Sequence, residues 1–256
     1  MDIALHQIKQ LQLMKRRSFI NNSVLGTIGA SIIGTNFRSI ENSISNGTTK
    51  YFMSESGIYG KENNFLLGIL QVDRADINEA ELINLRSTTN FKNVFTYRSN
   101  DRYKIPFVKT TIDLFSSSID YKLHIIHSDI SGEVDNIENK LSVINEYKID
   151  VVNRLIENFG NAVPSTVYTK YQSLNGPSES FRVKFNDRTN VAHETIITRE
   201  SNLLQLSSYL TSSVAAIIND KIHHPVKSEL TTYLMNSIGG LTFDNSFTTD
   251  KIHFLK

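Results

Sequence analysis

The sequence predicts an α/β domain built on a mixed β-sheet flanked by helices. Two strand-like runs, 51–54 and 64–72, come early and at the separation of a hairpin. Runs with helical spacing then alternate with later strand-like runs, and a pair of helical segments closes the pattern. With 256 residues the chain has the length for one sizeable core.

Each element has its own warrant. Tyr51 to Ser54 reads as the first strand, with Ser54, Ser56, Gly57 and Gly60 as the turn and 64–72 as the strand that returns along it. Residues 76–85 suit a short helix in which Asp76 is the N-cap and Glu79 stands at capping-box spacing. Pro106 fits the first turn of the next helix, where a missing N–H costs nothing, and Phe107, Val108, Ile112 and Phe115 share one face of a run ending near Ser118. Residues 121–127 alternate as a strand does and lead into Ser128 and Asp129. From 137 to 159, Leu141, Ile144, Ile149, Val152, Leu155, Ile156 and Phe159 keep helical spacing, closed by Gly160. After Pro164, 166–174 is β-branched and aromatic, and 181–185 alternates Phe, Arg, Val, Lys, Phe like a half-buried strand. Helices at about 201–219 and 226–238 follow, the second starting beside Pro225 and ending at Gly239 and Gly240. No internal repeat is evident.

Composition narrows the function classes. Hydrophobic residues make up 39% and charged residues 21%, and the formal net charge is only +1, so overall electrostatics does not mark an obligate nucleic-acid binder, although a local basic patch is compatible with it. There is no cysteine, which rules out a disulfide, a thiolate metal site and a cysteine nucleophile.

The clue to compartment lies in residues 1–34. Lys15, Arg16, Arg17, Ser18, Phe19 and Ile20 precede a short, weakly apolar run from 24 to 33, the order of a twin-arginine export signal. That run is shorter than the roughly 20 apolar residues a membrane-spanning helix needs, so the expected contact with a membrane is transient and the protein is expected outside the cytoplasm. An amphipathic or disordered arm is the alternative reading, and Met14 an alternative start. Residues 35–49 turn to Asn, Ser, Thr and Gly and read as a linker, 50–245 as the domain and 246–256 as a tail.

Two motifs carry a family resemblance. Tyr51, Phe52, Met53, Ser54, Glu55, Ser56 and Gly57 precede the apolar second strand, and Leu203, Leu204, Gln205, Leu206, Ser207, Ser208, Tyr209 and Leu210 lie on a late helix. They resemble the signature ends, "DESG" and "LLQLADLLTGA", of the ribonuclease H-like family called domain of unknown function 3800. The resemblance implies a ribonuclease H-like fold with Ser54 and Ser208 where the family carries its acids. It implies further that Ser54 and Ser208 face each other across a cleft, with Gln205 and Lys227 as lining residues.

Such nucleases hold two divalent cations, Mg2+ or Mn2+, on three or four converging carboxylates. A neutral Ser supplies neither the charge nor the bidentate grip of Asp, so a degenerate protein with a binding or scaffold role is the expectation. The alternative is a divergent metal-dependent nuclease or phosphodiesterase that rebuilt its site from Glu55 and Asp129. Glu55 adjoins Ser54 but points to the other face of a strand. Asp129 ends a strand inside a turn-like cluster, which suits a cap as well as a ligand. His223 and His224 are adjacent, which is not the spacing for sharing a metal on a helix, and His124 and His127 fall on opposite sides of a strand.

Overall fold

The computed structural model describes residues 49–56, 64–129, 137–159, 166–170, 179–219, 222–239 and 249–254. The segment read as an export signal, most of the segment read as a linker, the glycines Gly57 and Gly60 expected in a turn, Gly160, Pro164, residues 171–174 and Gly240 lie outside the described residues. The strands are β1 (Lys50–Ser56), β2 (Asn64–Val72), β3 (Tyr121–Asp129), β4 (Thr166–Lys170), β5 (Ala192–Ile196) and β6 (Ile252–Phe254). The helices are α1 (Ala75–Thr88), α2 (Ile105–Ser117), α3 (Ile137–Phe159), α4 (Glu179–Thr189), α5 (Asn202–Ile218) and α6 (Pro225–Ser237), with single 3-10 turns at Arg102–Lys104 and Thr198–Glu200.

The six strands form one sheet in the order β5-β4-β1-β2-β3-β6. β1, β2 and β3 make an antiparallel meander, β4 runs parallel to β1, β5 parallel to β4, and β6 parallel to β3. A meander extended from its first strand by two parallel strands, with helices on both faces, is a mixed sheet flanked by helices, as the sequence predicts.

Alternation along the strands divides the interior in two. Phe52, Leu66, Leu70, Leu123 and Ile125 meet α1, α2, α5 and α6 on one face. Tyr51, Met53, Phe65, Leu67, Ile69 and Ile126 meet α3 and α4 on the other. This is the period-two geometry of a strand covered on both sides. α5 is the pivot of the first face, because nearly its whole circumference is buried, as in a helix packed between a sheet and other helices.

Four expectations change. Residues 181–185 are helical, within α4: Phe185 is buried, while Val183 is 50% exposed. Phe185 and Thr189, four residues apart, form the inward face, with the Phe185 ring 5.1 Å from that of His193. β5 was not expected, being short and polar. The segment read as a tail contains β6, whose Ile252 is fully buried beside β3. The N-cap of α1 is Arg74, held at φ 52° with its guanidinium clasping the buried Asp120. Asp76 is exposed and pairs with Lys50 at 2.7 Å. Glu79 does not close a capping box; it caps a different helix, its carboxylate accepting from the Asn202 N–H at 2.7 Å and the Leu203 N–H at 3.0 Å at the start of α5.

Candidate functional site

The two motif-bearing elements, β1 and α5, pack against each other, and their contact is polar. Ser54 Oγ lies 3.0 Å from Ser207 Oγ and 2.7 Å from Thr211 Oγ1. Ser207 Oγ donates to the Phe52 carbonyl at 2.7 Å, and Thr211 Oγ1 donates to the Ser207 carbonyl at 2.8 Å. Three hydroxyl protons thus serve four contacts, so Ser54 donates to one neighbour and shares the other. Gly68 stands opposite Ser54 on β2, and a Cβ there would lie 2.0 Å from Thr211 Oγ1. The absence of a side chain at Gly68 is what admits Thr211, and with it the helix, to the sheet. Ser54 is 8% exposed, and Ser207 and Thr211 are fully buried.

Ser208, the residue predicted to face Ser54, is half-buried. It follows Ser207 by one position, about 100° round the helix axis, so the partner of Ser54 is Ser207. The acid implied at the end of β1 is replaced by a closed seam of neutral hydroxyls satisfied by one another and by backbone. Such a donor set does not fit Mg2+ or Mn2+, which need charged oxygen ligands and dehydrate reluctantly. Among the described residues no three His, Asp or Glu side chains converge.

The remaining candidates are dispersed. Glu55 lies on the opposite face of β1 from Ser54, bound to Lys148 of α3, with both side chains largely covered. Beyond it on that face, Thr169 Oγ1 meets His193 Nε2 at 3.0 Å. Burial pushes His193 down to about 4, helped by the nearby cations Lys148 and Arg182. Asp129 ends β3 opposite Asn64; its side chain is not among those described. His124 is buried and His127 exposed, as the strand period requires, while His223 is exposed and His224 Nδ1 caps α6 by accepting from the Val226 N–H.

Gln205, expected to line a cleft, is buried at 1%. Its Oε1 accepts from Arg86 Nη2 at 2.6 Å and from the Phe95 N–H at 2.7 Å, and its Nε2 donates to the Thr198 carbonyl at 3.0 Å. Gln205 therefore ties α1, the loop after it and the 3-10 turn to α5. Lys227 is half-buried, its ammonium 5.3 Å from the centroid of the Tyr97 ring. Sequence reading missed its neighbour Lys104, which is 1% exposed and donates to the carbonyls of Thr96 and Ser99. Burial, reinforced by Lys227 and opposed by Asp101, lowers Lys104 to about 8. Its only signal in the sequence was a short basic cluster after Tyr97.

No protein-family model matches the chain, and no curated protein matches it. Among solved structures it is similar to a chain of the ribonuclease HII–PCNA complex from Archaeoglobus fulgidus, with 11% identity and a TM-score of 0.43 over 76% of this chain and 92% of that one.

Proposed function

We propose that this chain is a ribonuclease H-like protein that has given up two-cation hydrolysis and acts by binding, in an exported form. One observation carries the loss of hydrolysis: the buried Ser54–Ser207–Thr211 seam, sealed over Gly68, occupies the contact between the two elements that bear the motifs. Membership of the domain of unknown function 3800 family is part of the reading, supported by the residues of β1 and α5 and by their packing. Export rests on Arg16, Arg17 and the short apolar run after them.

The test of chemistry uses the purified full chain with Mg2+ or Mn2+ on DNA and RNA. Cleavage no greater than that of a mock preparation is the expected result. Chelator-sensitive cleavage that disappears in Glu55→Ala or Asp129→Ala would overturn the reading in favour of a divergent nuclease. For export, a reporter fused after Gly47 should leave the cytoplasm, and an R16K/R17K pair should retain it; delivery unaffected by that pair would reduce residues 1–34 to a generic arm or another pathway.

A further inference from the structure

We propose that the loop between α1 and α2, with the first turn of α6, is a contact surface for single-stranded nucleic acid. It lies across α5 from the hydroxyl seam: Tyr209 stacks on Phe95 with centroids 4.4 Å apart and meets Tyr97 edgewise at 5.8 Å, whereas Ser207 and Thr211 face the sheet. The proposal goes beyond the loss of hydrolysis and does not depend on it.

The loop backbone is fixed from inside. Arg86 donates to the carbonyls of Phe91 and Asn93, Gln205 takes the Phe95 N–H, and Lys104 gathers the carbonyls of Thr96 and Ser99. Asp101 receives the Tyr103 N–H at 2.9 Å and donates its own N–H to Ser99 Oγ at 3.2 Å. A loop held this way presents its outward side chains without first having to be ordered.

Those side chains are cationic and aromatic. Between 92 and 109 the chain carries five basic residues and one acidic residue, Asp101, whose carboxylate is engaged as a cap. Lys92, Arg98 and Arg102 are exposed, and Lys227 adds its charge beside Tyr97. Among the described residues none of these four pairs with a carboxylate, in contrast to Lys50, Arg74 and Lys109, which each do. The surplus is local, because the whole chain carries only +1. Between Arg102 and Lys104, Tyr103 is 87% exposed, so its ring gains almost nothing from packing.

Cations without a carboxylate partner among the described residues, and an open aromatic ring carried on one loop, match what a single strand offers: phosphates for the charges and a base for the ring. An anionic membrane matches less well, since the loop's only other large exposed apolar side chain is Val94, at 43%.

The test is fluorescence anisotropy of a labelled, mixed-sequence single-stranded oligonucleotide with the full chain, in chelator so that cleavage does not intervene. Tyr103→Ala is expected to weaken binding about tenfold with the salt dependence unchanged, and Tyr103→Phe to keep it. R98A/R102A should weaken binding and reduce the slope of log K against log salt by about 1.4. All these positions are exposed, and unchanged thermal melting confirms that each variant folds. No binding at low salt overturns the proposal, as does Tyr103→Ala binding like the parent. So does preferential capture by phosphatidylserine vesicles over the oligonucleotide, which would make the patch a membrane contact. Cleavage activity is measured separately, so failure here leaves the hydrolysis reading intact, and the reverse holds.

Discussion

Ser54 shows how one residue decides between a metal ligand and a packing contact. Its hydroxyl lies at a buried contact, facing the hydroxyls of Ser207 and Thr211. A carboxylate there would be buried without a partner, so Ser54→Asp should lower stability by about 3–5 kcal/mol, whereas Ser54→Ala leaves Ser207 and Thr211 with their backbone acceptors and costs about 1 kcal/mol. Urea unfolding of the two variants measures the difference; equal midpoints would mean that the seam opens to solvent. Gly68→Ala forces a methyl against Thr211 and is expected to cost about 1–3 kcal/mol. Thr211→Ala removes the nearest of the clashing atoms, so the double variant should be more stable than the sum of the singles requires, a coupling that a double-mutant cycle reads directly.

At the scale of elements, α5 begins under the control of another helix. Its first free N–H groups are taken by Glu79 of α1 and by its own N-cap, Ser201, whose Oγ accepts from the Leu204 N–H at 3.1 Å. Glu79→Ala should therefore cost about 1–2 kcal/mol and raise amide hydrogen exchange in the first turn of α5, with α1 itself little changed. An effect confined to α1 would refute this assignment. Sequence spacing found Glu79 and gave it the wrong helix, because a capping box is a local pattern and this cap is tertiary.

The same limit explains the other differences. β2 and α3 were legible from end to end, β2 as an almost continuous apolar run covered on both faces and α3 as a long run with helical spacing and one phase adjustment. In α4 the alternation of Phe181, Val183 and Phe185 imitates a strand, and the packing of Phe185 under His193 prevails over it. β5 and β6 are short and take their structure from neighbours, Thr166–Lys170 and Tyr121–Asp129, rather than from their own composition. At the site, the pairing of β1 with α5 was legible from the two motifs. The choice of Ser207 over Ser208 was not, since it depends on the rotation of the helix that Gly68 permits.

At the scale of the whole molecule, two buried histidines make stability depend on pH. Burial, then the neighbours His253 and Lys122, lower His124 to about 3, and His193 lies at about 4. Both sit near 6.5 in the unfolded chain. Below that pH the unfolded state binds more protons than the folded one, so stability is whole above pH 6.5 and is lost as the pH falls toward 4 and then 3. The limiting slope is roughly 1.4 kcal/mol per pH unit for each histidine. Unfolding midpoints across this range should flatten in H124Q/H193Q, and a parent chain equally stable at pH 6.5 and 4 would contradict the burial of both rings.

The parallel pairing of β1 with β4 also sets a clock. Tyr51 meets Val167, more than a hundred residues later in the chain, so one side of β1 stays bare while everything between them is made. At about 5–20 residues per second that interval is roughly 6–23 s. During it the meander can already stand, yet its first strand offers unpaired N–H and C=O groups to any other extended segment. Correct assembly is then a race between the arrival of residues 166–170 and capture of that open edge by a neighbouring nascent chain, a contest decided by rate and crowding before the strength of the finished sheet has any say.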